Sequence, residues 1–187
     1  MTKICIVHYN TPKLTECLIK SINRFSSDTK IYIFDNSDEL PFINSFDNVI
    51  VLDNTRGQII NFDKWLEQYP NRIKSNGKTN NFGSPKHTYS VEKCIELIDD
   101  NFILLDSDVL VKKDITKIVD DRYIYIASTI TQPNSTIKRV LPFMCYINVE
   151  MMKKYNVHYF DDNHMHGLRV TTISDMYDTG ASFYLEA

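Results

Sequence analysis

Four short apolar runs lie along the first part of the chain, at residues 4–7, 31–34, 49–52 and 102–105. Apolar and polar positions do not alternate within these runs, as they would in strands with one face in water. Continuous apolar runs are instead typical of strands that are covered on both faces, as in a parallel sheet. The pattern therefore predicts buried, parallel strands.

The segments between these runs have the helical period. Thr11-Pro12 supplies an N-cap residue and a proline at the first helical position. Two apolar stripes follow the period of a helix: Leu14, Cys17, Leu18, Ile22 and Phe25, and then Val91, Cys94, Ile95 and Ile98. Residues 62–69 predict a shorter helix. Alternating strands and helices predict an α/β fold with a mostly parallel central sheet flanked by helices.

The pattern changes after residue 114. Residues 123–130 and 143–148 predict strands, and residues 150–155 predict a short helix. We expect this second half to be mixed and partly antiparallel. Because no linker separates residues 1–114 from residues 115–187, we predict a single domain over residues 1–187.

Composition excludes several classes of protein. The chain has 187 residues and a net charge of -3, whereas a general nucleic-acid binder carries a basic excess, so no nucleic-acid partner is expected. No apolar run approaches the roughly 20 residues of a membrane span, and the N-terminus has no leader pattern. The four cysteines are far apart, without a Cys-x-x-Cys spacing. We therefore expect no membrane span, no disulfide framework and a cytoplasmic location.

Polar side chains follow each of the four predicted strands. The clusters are His8-Tyr9-Asn10-Thr11, Asp35-Asn36-Ser37-Asp38, Asp53-Asn54-Thr55-Arg56-Gly57 and Asp106-Ser107-Asp108. Because the carboxyl ends of parallel strands lie at one edge of a sheet, we expect the clusters to converge where open α/β sheets bind ligands. Turn formation would explain one such cluster, but four at equivalent positions indicate a ligand site.

A polar, aperiodic stretch covers residues 73–85. It fits a surface loop or a lid beside the site, and the sequence does not distinguish the two.

Two carboxylates, Asp106 and Asp108, leave the end of a buried strand two residues apart. Such carboxylates repel each other unless a cation or a proton lies between them. Mg²⁺ or Mn²⁺ would take one or two carboxylates and complete its octahedron with phosphate oxygens and water. The alternative is a pair of solvated turn aspartates.

Several segments resemble the GT-A-type glycosyltransferases of family 2. The start of the chain, from Ile4 to Pro12, and the later Ile31-Tyr-Ile-Phe-Asp-Asn-Ser look like the opening of that family. Asp106-Ser107-Asp108 falls where the family has its Asp-x-Asp metal motif. Gly83-Ser84-Pro85-Lys86-His87 is similar to a donor-contacting segment, and Asp178-Thr179-Gly180-Ala181-Ser182 resembles a late block on the acceptor side.

The resemblance implies a nucleotide-diphospho-sugar transferase fold and an inverting, metal-dependent transfer of a sugar to an acceptor hydroxyl. The donor would be a nucleotide-sugar, a UDP-sugar foremost, and the acceptor a saccharide or a lipid-linked molecule. Residues 1–114 would bind the donor and residues 115–187 the acceptor. The residues implied to hold base and ribose are Tyr9, Asn10, Thr11, Asp35, Asn36 and Asp106, with Asp106 and Asp108 at the metal. Arg56 and His87 are candidates for phosphate contacts, because cations near a leaving diphosphate stabilise its negative charge.

Asp178 is the expected general base, from its place in the late block, and Asp175 is its nearest rival. Family 2 members often have a Glu-Asp pair there, whereas this chain has Asp175-Met-Tyr-Asp178. A capping role for Asp178 in a final helix is the alternative.

Relatives usually continue beyond this block, often with a histidine that is a third metal ligand, so we expect a C-terminal truncation. The upstream histidines are His158, His164 and His166, and with Asp161 and Asp162 they could form a metal cluster or a polar loop.

Two other functions compete with transfer. Asp106-Ser107-Asp108-Val109 also matches the nucleophile motif of haloacid-dehalogenase-like phosphatases, although that motif normally opens the fold and here follows three strands. A non-catalytic nucleotide-sugar-binding protein is the second alternative.

Overall fold

The computed structural model describes residues 1–67, 74–75, 78–79, 83–131, 138–159, 180, 183–184 and 187. Its first half runs β1 (Thr2–His8), α1 (Pro12–Phe25), β2 (Thr29–Asp35), β3 (Val49–Asp53), α2 (Phe62–Glu67), β4 (Lys74–Ser75) and β5 (Lys78–Thr79). Its second half runs α3 (Gly83–Ile98), β6 (Phe102–Asp106), a 3-10 helix (Ile115–Ile118), β7 (Tyr125–Thr131), β8 (Lys138–Ile147) and α4 (Val149–Tyr155).

The central sheet has six strands in the order β3-β2-β1-β6-β8-β7. Strands β3, β2, β1 and β6 are parallel, whereas β8 runs antiparallel to both β6 and β7. The predicted α/β fold is confirmed, with the four apolar runs as its parallel strands and a mixed second half.

Both faces of the sheet are buried at β1, β2 and β6, which explains the uninterrupted apolar runs of these strands. On one face Ile4, Ile6 and Ile33 pack with residues of α1. On the other face Cys5, Val7 and Leu104 pack with residues of α3 and α4. In the described part of the chain, no helix has the length and apolar character that crossing a membrane requires.

Helix α1 turns a different stripe to the core than the sequence predicts. Its buried residues are Thr15, Leu18, Ile19 and Ile22, whereas the predicted Leu14 and Phe25 are 49% and 39% exposed. The Thr15 hydroxyl lies on this buried face and bonds to the His8 ring, at 2.7 Å from Nδ1. The inward face is therefore rotated by about one residue from the predicted stripe.

The stretch 73–85 is only partly a loop. The strands β4 and β5 pair antiparallel within it, and α3 begins at Gly83, eight residues before the predicted stripe starts at Val91. The rest of this stretch lies outside the described residues, as do residues 68–69 of the predicted short helix.

Candidate active site at the carboxyl edge of the sheet

The four polar clusters meet at one edge of the sheet. In the strand register Val7 pairs with Asp106, His8 with Asp35, and Asp35 with Asp53. The ends of β6, β1, β2 and β3 are therefore side by side, and the predicted convergence is confirmed. The loops that follow these strands form a single polar surface, here called the carboxyl edge.

Asn10 connects the loop after β1 to the loop after β2. Its backbone is left-handed, with φ of 51°, a conformation that asparagine tolerates better than most residues. Its backbone N–H donates to Ser37 Oγ at 2.9 Å. Its side-chain Oδ1 accepts from the N–H groups of Glu39 and Leu40, at 3.1 and 2.9 Å. These bonds hold the loop after β2 in a fixed conformation.

Asp38 lies at the exposed end of this contact. It accepts from Tyr9 Oη at 2.8 Å and from Asn10 Nδ2 at 2.5 Å. Both bonds favour its charged form, so they lower the pKa of the Asp38 carboxyl, and the same contact raises the pKa of the Tyr9 hydroxyl. Tyr9 is 48% exposed, and its anchored hydroxyl fixes the ring at the surface of the carboxyl edge.

Asp35 lies beneath this surface and is 1% exposed. Its Oδ1 accepts from Ser37 N–H at 2.9 Å, and its Oδ2 accepts from Phe42 N–H at 2.7 Å. His8 is also buried, with its Nε2 at 4.0 Å from Asp35 Oδ1. Both carboxylate oxygens of Asp35 are thus used by backbone N–H groups of the loop after β2. These bonds position the loop that carries Asp38.

Asn36 bridges two elements. Its Nδ2 donates to Ser90 Oγ of α3 at 2.8 Å, and its Oδ1 accepts from Asn54 Nδ2 at 2.8 Å. Arg56 is exposed and lies on the turn that follows Asn54. The pKa of the Asp53 carboxyl is lowered mainly by two hydrogen bonds from Thr55, and the charge of Arg56 lowers it further.

Asp106 and Asp108 lie on the turn after β6. The Asp106 side chain is 31% exposed, and its Oδ1 lies 3.4 Å from His87 Nε2. Ser107 Oγ lies 3.2 Å from Thr11 Oγ1, which connects this turn to the loop after β1. Asp108 is exposed. Among the described residues neither carboxylate forms an ion pair with lysine or arginine, so both remain available to a ligand.

The donor set suits a hard divalent cation only in part. Two carboxylates on one turn match the one or two that Mg²⁺ or Mn²⁺ takes from a protein when phosphates supply other oxygens. Within the described ranges no group of three or more His, Cys, Asp or Glu side chains forms a complete metal site. The residues therefore fit a cation that is shared with a phosphate ligand.

The expected bases Asp175 and Asp178 lie outside the described residues, as do Asp161, Asp162, His164 and His166. Gly180, two residues after Asp178, is described. Its carbonyl accepts from Val140 N–H at 3.1 Å, on the part of β8 that extends beyond the end of β6. His158 lies 3.1 Å from Glu92 Oε1 instead of at the carboxyl edge.

Three residues of the site, Ser90, Ser107 and Asp38, have no role in the prediction from sequence. Ser90 lies one turn after Lys86 on α3. The Ser84-Pro85 pair is typical of a helix start and could have placed Ser90 on this helix. Asp38 and Ser107 belong to the strand-end clusters, but their partners come from loops distant in sequence.

No model of a known protein family matches the sequence, and no curated protein matches it either.

Solved structures of glycosyltransferases resemble the chain. The apo structure of the bifunctional glycosyltransferase WbbM has a TM-score of 0.50 at 14% identity, over 83% of this chain and 33% of its own. The galactosyltransferase LgtC, in complex with donor and acceptor sugar analogues, has a TM-score of 0.49 at 13% identity, over 82% of this chain and 60% of its own. The mannosyltransferase PcManGT from Pyrobaculum calidifontis, in complex with GDP-Man and Mn²⁺, has a TM-score of 0.46 at 14% identity, over 96% of this chain and 56% of its own.

The chain spans less than two thirds of each of these proteins, and a third of WbbM. At such identities the likeness concerns the fold. The match to WbbM shows that this chain has the fold of a glycosyltransferase.

Proposed function

We propose that this chain is a metal-dependent, inverting glycosyltransferase of the GT-A type, similar to family 2. It would transfer a sugar from a nucleotide-diphosphate donor, a UDP-sugar foremost, to a hydroxyl of a saccharide or lipid-linked acceptor in the cytosol. The observation that carries the proposal is the carboxyl edge: the segment with Asp106 and Asp108 contacts the loop after β1 there, through Ser107 and Thr11, and neither carboxylate has a lysine or arginine partner among the described residues.

The donor side is formed by the loops after β1, β2 and β6. Tyr9, Asn10 and Thr11 contact base and ribose, and Asp35 holds the loop after β2 in place from below. Asp106 and Asp108 would hold Mn²⁺ or Mg²⁺. When bound, the cation would offset the negative charge that develops on the leaving diphosphate. His87 and Arg56 add N–H donors for the phosphate oxygens.

The acceptor hydroxyl attacks the anomeric carbon from the side opposite to the diphosphate, so the configuration inverts. The bond between the anomeric carbon and the diphosphate oxygen breaks, and its electron pair leaves with the diphosphate. The Asp178 carboxylate takes the proton of the acceptor hydroxyl, with Asp175 as the alternative base. The contact between Gly180 and Val140 supports this role, because Gly180 is two residues from Asp178 in sequence and bonds to the strand that extends past Asp106.

A thermal-shift panel of UDP, GDP, CDP and TDP, each with and without Mn²⁺, tests the proposal. A nucleotide that binds only the folded chain raises the melting temperature by mass action. We expect one nucleotide to stabilise the chain, more strongly with Mn²⁺, and Asp108→Ala to abolish the metal-dependent part.

The matched control is Asp28→Ala, because Asp28 is 82% exposed and precedes β2 at the opposite edge of the sheet. It should leave both shifts unchanged. The proposal fails if no nucleotide stabilises the unaltered chain. A nucleotide shift without transfer or hydrolysis of the donor sugar would indicate the non-catalytic binder instead, and turnover of p-nitrophenyl phosphate would indicate the phosphatase.

A further inference from the structure

Asn36 is placed between two segments that carry the basic residues of the carboxyl edge. One segment is the loop 54–60, which carries Arg56, and the other is the N-terminal part of α3, which carries Lys86 and His87. The Asn36 amide bonds to Asn54 on one side and to Ser90 on the other, each at 2.8 Å. A single side chain thus connects both segments to the end of β2.

On the first side, Asn54 organises its own loop. It is 3% exposed, and its Oδ1 accepts from the N–H groups of Ile59 and Ile60, at 2.9 and 2.7 Å. Its backbone N–H donates to the carbonyl of Asp35 at 2.9 Å. The loop is therefore closed onto Asn54, and Asn54 is fixed to the end of β2.

On the second side, Ser90 connects Asn36 to the backbone of α3. Ser90 is fully buried, and its hydroxyl donates to the Lys86 carbonyl at 2.7 Å while it accepts from Asn36. His87 follows Lys86 directly, and its Nε2 lies 3.4 Å from Asp106 Oδ1. The contact of His87 with Asp106 therefore depends on where Asn36 holds this turn of α3.

The packing of α3 against the sheet does not require the hydrogen bonds of Asn36, Asn54 and Ser90. The C-terminal part of α3 already packs Val91, Cys94, Ile95 and Ile98 against the sheet. Apolar packing is non-directional, whereas hydrogen bonds have a narrow range of distance and angle. A buried hydrogen bond adds only about 1 kcal/mol of net stability, so its larger effect is to fix the position and rotation of the helix.

We infer that Asn36, Asn54 and Ser90 form a positioning network, which holds His87, beside Asp106, and the Arg56 loop at a fixed separation from each other. Asn36 is its centre. The role of this network rests on the proposed function, because the two basic segments would face the same diphosphate of a bound donor. Its geometry, however, exists without any ligand and can be tested without one.

The test uses the nucleotide-free full chain with ¹³C-labelled histidine. Ser90→Ala removes the bond from Asn36 to α3. Asn54→Asp removes the bond from Asn54 to Asn36 while it keeps an oxygen for Ile59 and Ile60. We expect the His87 ring resonance, assigned by its loss in His87→Gln, to move in both variants. With a nucleotide that binds the unaltered chain, we expect affinity to fall about tenfold in both.

Ser21→Ala is the matched control. Ser21 also bonds back to its own helix, donating to the Leu18 carbonyl at 2.7 Å, and it accepts from Val111 N–H at 3.0 Å. It lies on α1, against the other face of the sheet. This control should leave the His87 resonance in place.

An unmoved His87 resonance in folded Ser90→Ala and Asn54→Asp would overturn the network, whatever binds to the chain. A failure of every nucleotide to bind would overturn the proposed function instead, and the resonance would still decide on the network. If one variant fails to fold, the other one decides.

Discussion

His87 Nε2 lies 3.4 Å from Asp106 Oδ1, so the N-terminal part of α3 and the end of β6 lie side by side. The imidazole is 18% exposed, so one face of the carboxyl edge is formed by a ring that is mostly shielded from water. In such a site an N–H donor acts on a developing negative charge more strongly than it would in water.

We predict that His87→Leu, which has no N–H donor, slows cleavage of the donor sugar about 10²-fold, as the loss of one donor to a developing oxyanion does. The measurement is the release of free nucleoside diphosphate from the donor that the nucleotide panel selects. His158→Leu is the control, because His158 pairs with Glu92 and is 50% exposed. Equal rates in the two variants would remove His87 from the site.

Asp35→Asn should destabilise the chain by about 1 to 3 kcal/mol. Both carboxylate oxygens accept from backbone N–H groups, of Ser37 and Phe42. The amide of asparagine has a single oxygen, so one of these N–H groups would face an N–H₂ group in a buried place. Urea unfolding measures the effect, and Asp53→Asn, at an exposed strand end, should cost less. If Asp35→Asn left the free energy of unfolding unchanged, the loop after β2 would not depend on this carboxylate.

The free energy of unfolding should depend on pH through His8. Burial lowers the pKa of the His8 imidazole, and the neighbouring Asp35 carboxylate only partly opposes this. The unfolded chain therefore takes up this proton first as the pH falls below about 6.5. The contribution of neutral His8 is complete above that pH and is lost as the pH falls toward the lowered pKa.

Urea unfolding at several pH values between about 7.5 and 5 measures this loss. His8→Gln should show a smaller decrease over the same range, and His158→Gln should keep the full decrease. Equal slopes in the unaltered chain and in His8→Gln would contradict the assignment. The comparison uses slopes, because His8→Gln also alters the contact with Thr15 and so shifts stability at every pH.

The sequence predicted the parallel strands and their convergence, because both depend on local patterns: apolar runs and the polar residues that end them. It missed the first half of α3, where Gly-Ser-Pro-Lys-His-Thr-Tyr-Ser shows no apolar stripe. Contacts from other elements, such as the bond between Asn36 and Ser90, accompany helix formation there. Tertiary contacts thus override weak local propensity.

The start of β8 was missed for a different reason. Pro142 lacks an N–H for the ladder, which argues against a strand in sequence, yet β8 begins at Lys138. The structure accommodates the proline where the pairing of β7 with β8 shifts register, between Ala127 and Thr129. Pro142 also precedes Met144, which pairs with Leu105 near the end of β6.

The tertiary structure likewise decides which of the polar residues at the strand ends is buried. Asp35 and Asp53 are the last residues of β2 and β3, and they pair in register. Asp35 is buried under its own loop, whereas Asp53 is exposed. Asp35 ends an inner strand and accepts from the N–H of Phe42, seven residues along the chain, whereas Asp53 ends the edge strand β3. No local pattern marks either difference.

Gly180→Ala should be more disruptive than Gly57→Ala. Gly180 has φ of 80°, and a Cβ there would lie 2.1 Å from the Val140 carbonyl oxygen. Gly57 has a similar φ of 70°, but its Cβ would meet no atom closer than 3.4 Å. Gly57→Ala therefore measures the backbone strain alone, about 1 to 2 kcal/mol. Gly180→Ala adds the displacement of a strand, for a total of about 2 to 5 kcal/mol.

Urea unfolding of the two variants gives the difference, which is the contribution of the close approach of Gly180 to β8. If the late block supplies the base, Gly180→Ala should also slow transfer under conditions where it is still folded, and Gly57→Ala should slow it less. Equal unfolding free energies for the two variants would mean that Gly180 does not pack on Val140. The proposal for Asp178 would then lose the contact of Gly180 with β8 that supports it.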